Sequence, residues 1–92
     1  MAKTKSFNGV TPAIWECVKT TSYKEHGTIY APPGAASGTA TTSTPVGEVA
    51  LTYNYDASAG IVNYTIVKKP FIVGEGTIWD GIQDTINGCS NS

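Results

Sequence analysis

Cys17 and His26 are the one pairing in this chain that could act as nucleophile and base, because His26 is the only histidine and a thiolate needs a proton acceptor beside it. Cys17, however, falls at helical spacing with Ile14, Val18 and Thr21, with Trp15 beside them, and a thiol on an apolar stripe behaves as a small hydrophobe. His26-Gly27 reads as a connector at the end of that helix. Packing outweighs catalysis at both residues, so the sequence predicts a protein that is not an enzyme.

Two cysteines and one histidine fall short of the four ligands of a structural zinc site, and Cys17 and Cys89 lack a C-x-x-C spacing. No metal and no cofactor is expected. A Cys17–Cys89 bridge would close a loop of about 70 residues and support a small core. Met1 to Gly9 contains no apolar run of about 7 residues that would mark a secretory leader, which predicts a cytoplasmic location and free thiols.

Lys68 and Lys69, followed by Gly74, Gly76 and Thr77 at a helix start, make up the candidate anion or small-ligand site, since free N–H groups at a helix N-terminus attract negative charge. The spacing matches neither phosphate-loop nor dinucleotide fingerprints, and Glu75 opposes an anion. Asp80 and Asp84 share a helix face, as the helix dipole favours near an N-terminus. Asn63-Tyr64-Thr65 fits the glycosylation pattern but falls within a strand. Trp15, Trp79 and the five tyrosines could stack on sugars or bases, yet the same residues fall on faces that packing must cover.

Composition narrows the classes further. Seven carboxylates stand against six lysines, with no arginine, and the lysines form no stripe, so nucleic-acid binding is disfavoured. Apolar content of 40% with 14% charged residues is globular, and no stretch nears the roughly 18 apolar residues of a bilayer span, so no membrane association is expected. Residues 1–92 make one domain.

The elements that must position any site follow from periodicity. Over 48–56, Val49, Leu51, Tyr53 and Tyr55 alternate with Ala50, Thr52, Asn54 and Asp56; over 61–68, Val62, Tyr64 and Ile66 supply a matching face. Pairing Tyr55 with Val62, Tyr53 with Tyr64 and Leu51 with Ile66 gathers the large apolar groups and leaves Ala57 to Gly60 for the turn. Thr11-Pro12 opens a helix over 12–23, and Thr77 with Asp80 caps a second over 78–87 on which Ile78, Ile82 and Ile86 recur. A short strand is expected over 28–31 and an extended piece over 71–73.

Residues 32–47 carry no charge and one larger apolar residue, Val46, which predicts a long flexible loop, with 38–44 as at most an irregular edge strand. The predicted fold is therefore a two-layer α-β-β-β-α domain: a three-stranded antiparallel sheet around the hairpin 48–56/61–68, with both helices on one face. The expected function is a small interaction module that binds a protein or peptide through Pro32, Pro33, Gly34, Gly38, Thr44 and Pro45. The alternative is a small-ligand or anion-binding protein using the 68–77 segment.

Overall fold

Tyr55 faces Val62, Tyr53 faces Tyr64 and Leu51 faces Ile66, the register that the alternation predicts. The computed structural model describes residues 3–32 and 34–90. Along the chain come β1 (Lys3–Phe7), α1 (Pro12–His26), β2 (Ile29–Ala31), β3 (Ser37–Thr44), β4 (Gly47–Asp56), β5 (Ile61–Lys68) and α2 (Glu75–Ser90). Every strand pairing is antiparallel, in the order β1-β5-β4-β3-β2. Among the described residues the fold is a small α+β domain with two helices.

The sheet has five strands rather than the predicted three. β1 escapes detection because Lys3-Thr4-Lys5-Ser6 is exposed and only Phe7 is buried; lysines on a sheet's border discourage pairing with foreign strands. β3 lies within the predicted loop 32–47 and is bonded on both sides, to β2 and β4. Its threonines at 39, 41, 42 and 44 carry the branched Cβ that suits a pleated surface, a preference that a lack of apolar bulk concealed. Gly38 is required there by space, since a Cβ at that position would collide with the Ala31 carbonyl oxygen.

The β4–β5 turn is held by Asp56. Its carboxylate accepts from the Ser58 hydroxyl at 2.7 Å and from the Ser58 and Ala59 N–H groups at 3.1 and 3.2 Å. The Ser58 hydroxyl, with the backbone donors behind it, keeps that carboxyl below the usual carboxylate range. Past Leu51–Ile66 the register shifts, so that Lys68 rather than Val67 pairs with Ala50 and Val67 is left exposed.

Thr11 caps α1, its hydroxyl accepting from the Ile14 N–H at 3.2 Å, with Pro12 in the first turn. Gly27 ends the helix in the left-handed conformation at φ 69°. Trp15, Val18 and Ser22 form its buried edge, while Ile14, Cys17 and Thr21 are half-buried. The predicted stripe is thus turned slightly, with Trp15 inside. α2 starts at Glu75, earlier than predicted, so Thr77 sits within its first turn rather than at its cap. Side chains of both helices join one core with Leu51, Tyr53, Tyr55, Tyr64 and Ile66, whereas Thr52, Asn54 and Asp56 on the other face are exposed.

This arrangement predicts that Leu51→Ala costs roughly 2–5 kcal/mol while Thr52→Ala costs about 0.5 kcal/mol or less, read from urea denaturation midpoints. Equal costs would contradict the assignment of faces. Gly38→Ala, which drives a methyl into the Ala31 carbonyl, should cost at least about 1–3 kcal/mol by the same measurement.

Candidate functional site

A cavity of about 250 Å³ lies between the inner face of the sheet and the two helices. Its sheet side is made by Tyr30, Ala40, Leu51 and Tyr64, its α1 side by Val18 and Ser22, and its α2 side by Ile78 and Ile82. The strand period of two places Ala40, Thr42 and Thr44 of β3 on this wall, and their small side chains leave the space open. Val73, Thr77 and Thr85 complete the α2 end, and the exposed His26 and Thr77 mark where the cavity meets solvent.

Most of the lining is apolar, and the polar groups gather at few points. The Tyr30 and Tyr64 hydroxyls share a hydrogen bond of 2.8 Å. Thr28 and Thr42 join their hydroxyls at 2.6 Å. Burial pushes the Tyr64 phenol well above its ordinary range, and the neighbouring Tyr30 adds to the effect. Burial also raises Tyr30, against the lowering influence of the neighbouring Tyr64 and Ser22 hydroxyls. Both phenols are therefore neutral donors and acceptors at physiological pH.

Thr44 and Thr77 are the two predicted site residues that reach this cavity. Thr44 sits at the end of β3, donating its hydroxyl to the Gly47 carbonyl at 2.7 Å. Pro32 and Gly34 are exposed beyond β2, and Pro45 is exposed in the β3–β4 turn; Gly38 lies in β3 against β2, and Pro33 falls outside the described residues. These residues are spread over both ends of β3.

The alternative anion site is also dispersed. Lys68 pairs with Glu48 at 3.7 Å, and Lys69 donates to the Val73 carbonyl at 2.8 Å, which closes the segment between β5 and α2. Gly74 precedes α2 and Gly76 lies in its first turn beside Glu75. Among the described residues, no group of three histidine, cysteine or acidic side chains is placed to hold a metal, and no helix is long and apolar enough to cross a membrane.

Cys17 and Cys89 are bonded to each other, S–S 2.16 Å, which corrects the expectation of free thiols and joins α1 to α2. The bridge also removes Cys17 as a nucleophile. The leader argument misled here because it weighed the redox compartment and had no access to the helix pairing that brings the two residues together. Sequence reasoning likewise missed Ser22, Tyr30 and Tyr64 as site residues. A signal was available, since a tyrosine assigned to a covered face must find a partner for its hydroxyl.

No protein-family model, curated protein or solved structure matches the chain.

Removing the bridge, with Cys17→Ser and Cys89→Ser together, should lower stability by roughly 4 kcal/mol for a sequence separation of 72, on the chain-entropy model. Denaturation of the variant against the parent checks this, and labelling of both thiols in the unreduced parent would contradict the bridge. Alkaline pH gives a second expectation. In the unfolded chain the phenols ionise near pH ~10, whereas folded Tyr30 and Tyr64 keep their protons beyond that. The folded form then binds more protons, so the stabilisation is complete below about pH 10 and is lost as pH rises, by about 1.4 kcal/mol per pH unit for each phenol. Urea midpoints on either side of that pH should show the loss, with a shallower slope in Tyr64→Phe.

Proposed function

We propose that this chain is a non-enzymatic binding protein for a small, largely apolar molecule held between the sheet and α2. The observation that carries the reading is the cavity itself: about 250 Å³, apolar on most sides, with hydroxyls converging at one place. An apolar cavity of roughly 150 Å³ is already enough to take up benzene. Ligand sites in general combine an apolar lining with a few placed polar groups. The small-ligand alternative from the sequence thus moves from the lysines at 68 and 69 to the wall built by Thr44, Val73 and Thr77. Lys68 and Lys69 are engaged with Glu48 and Val73, which weakens the anionic version. The Cys17–Cys89 bridge supports a working compartment that is oxidising.

A second reading, a module that binds a protein or peptide, is favoured by the end of the domain where Gly47 approaches Pro70. Val46, Phe71 and Ile72 are exposed there, Phe71 at 97%. Under this reading Phe71→Ser with Ile72→Ser abolishes partner capture and leaves the cavity unaffected.

The primary reading is tested by thermal denaturation with small apolar probes such as indole and cyclohexanone. A probe at ten times its Kd adds about 1.4 kcal/mol and should raise Tm by roughly 6–11 °C in a domain of this size. Ala40→Ile places a larger side chain in the cavity and should abolish the rise while the protein stays folded. No rise with any probe, or a rise undiminished in that variant, would overturn the proposal.

A further inference from the structure

The floor of the cavity carries more donors than its own acceptors use. Tyr30 and Tyr64 both line the cavity, and their hydroxyls are linked by a bond of 2.8 Å. Two hydroxyls joined by one hydrogen bond use one proton. The other has no acceptor among the described residues, and each hydroxyl has only one proton to give. The Thr28 and Thr42 hydroxyls bond to each other and not to this pair. A wholly hydrocarbon ligand seated here would hold that donor against carbon, away from water, which is unfavourable.

The charge around the cavity excludes the opposite extreme. Among the described residues no lysine lines it, and His26 at the rim is its one potentially cationic side chain. A carboxylate or phosphate drawn to the Tyr30–Tyr64 floor would be desolvated with no cation beside it.

We infer that the ligand is a neutral molecule with an accepting oxygen, such as a ketone or ester carbonyl, on an otherwise apolar body, and that the oxygen accepts from the Tyr30–Tyr64 hydroxyl pair. This rests on the cavity reading above. It adds orientation: the oxygen sits at the floor between β2, β5 and α1, and the apolar body extends along Leu51, Ile78 and Ile82.

The test uses two probes of the same shape, cyclohexanone and methylenecyclohexane, titrated into the intact protein and followed by methyl resonances of Val18, Leu51 and Ile82. The ratio of the two affinities is measured in the parent and in Tyr30→Phe with Tyr64→Phe, so that the probes' own hydrophobicities cancel. The ketone's relative affinity should fall about three- to tenfold in the double variant, while the alkene still binds. An unchanged ratio with both probes bound overturns this inference and leaves the cavity reading standing. Failure of both probes to perturb those methyls in the parent defeats the cavity reading and this inference together. Should the double variant not fold, the carbonyl carbon resonance of labelled cyclohexanone bound to the parent decides. A shift downfield of its position in hexane supports the hydrogen bond, and a hexane-like position refutes it.

Discussion

Trp15 packs against four tyrosines at once, with ring centroids 5.0 Å from Tyr55, 5.5 Å from Tyr53, 5.7 Å from Tyr30 and 6.3 Å from Tyr64. Those tyrosines come from β2, β4 and β5, so one indole fixes α1 over three strands. Full burial of a ring this size is worth on the order of 4 kcal/mol or more, a large part of the margin of a small domain. The position of α2 follows from that of α1, because Cys17, two residues beyond Trp15 on the same helix, is bonded to Cys89. The chain leading into α1 is fixed as well. Val10 donates its N–H to the Gly60 carbonyl at 2.8 Å and its carbonyl accepts from the Tyr55 hydroxyl at 2.7 Å.

The cavity arises because the two halves of the inner face are filled differently. Under the N-terminal half of α1 the rings of Trp15, Tyr53 and Tyr55 fill the volume. Toward α2 the sheet presents Ala40, Thr42 and Thr44, and the covering side chains are the half-buried Ile78 and Ile82. Small residues below and flexible aliphatic ones above leave a gap that backbone geometry prevents from collapsing, since β3 is bonded on both sides. The composition of β3 therefore has two effects: it makes the strand look like a loop, and it makes room.

The hairpin of β4 and β5 was legible because both strands alternate large apolar with polar residues, so that only one register buries Leu51, Tyr53 and Tyr55 together. The cap of α1 was legible for a local reason too, as Thr11 and Pro12 act within a single turn. β1 and β3 were not, because their pairing energy lies in backbone hydrogen bonds that any side chain permits, while their side chains carry little apolar signal. The cavity was illegible for a related reason. It is defined by volume that Ala40 and Thr42 fail to fill, and by the meeting of Tyr30 with Tyr64 across strands distant in sequence. Thr77 was read as a cap from its capping-box spacing to Asp80, whereas the helix that contains it begins at Glu75.

The strand order also sets a sequence of events in time. β2 to β5 form a continuous meander in which every neighbour in space is a neighbour along the chain, so these pairings close short loops. β1 is different, for Lys3 meets Ile66 and Phe7 meets Val62, across the whole of α1 and the meander. On a ribosome the first strand is made first and waits unpaired until its partner has emerged. Its two lysines discourage that waiting segment from pairing with foreign strands, and its docking is the non-local pairing that completes the sheet.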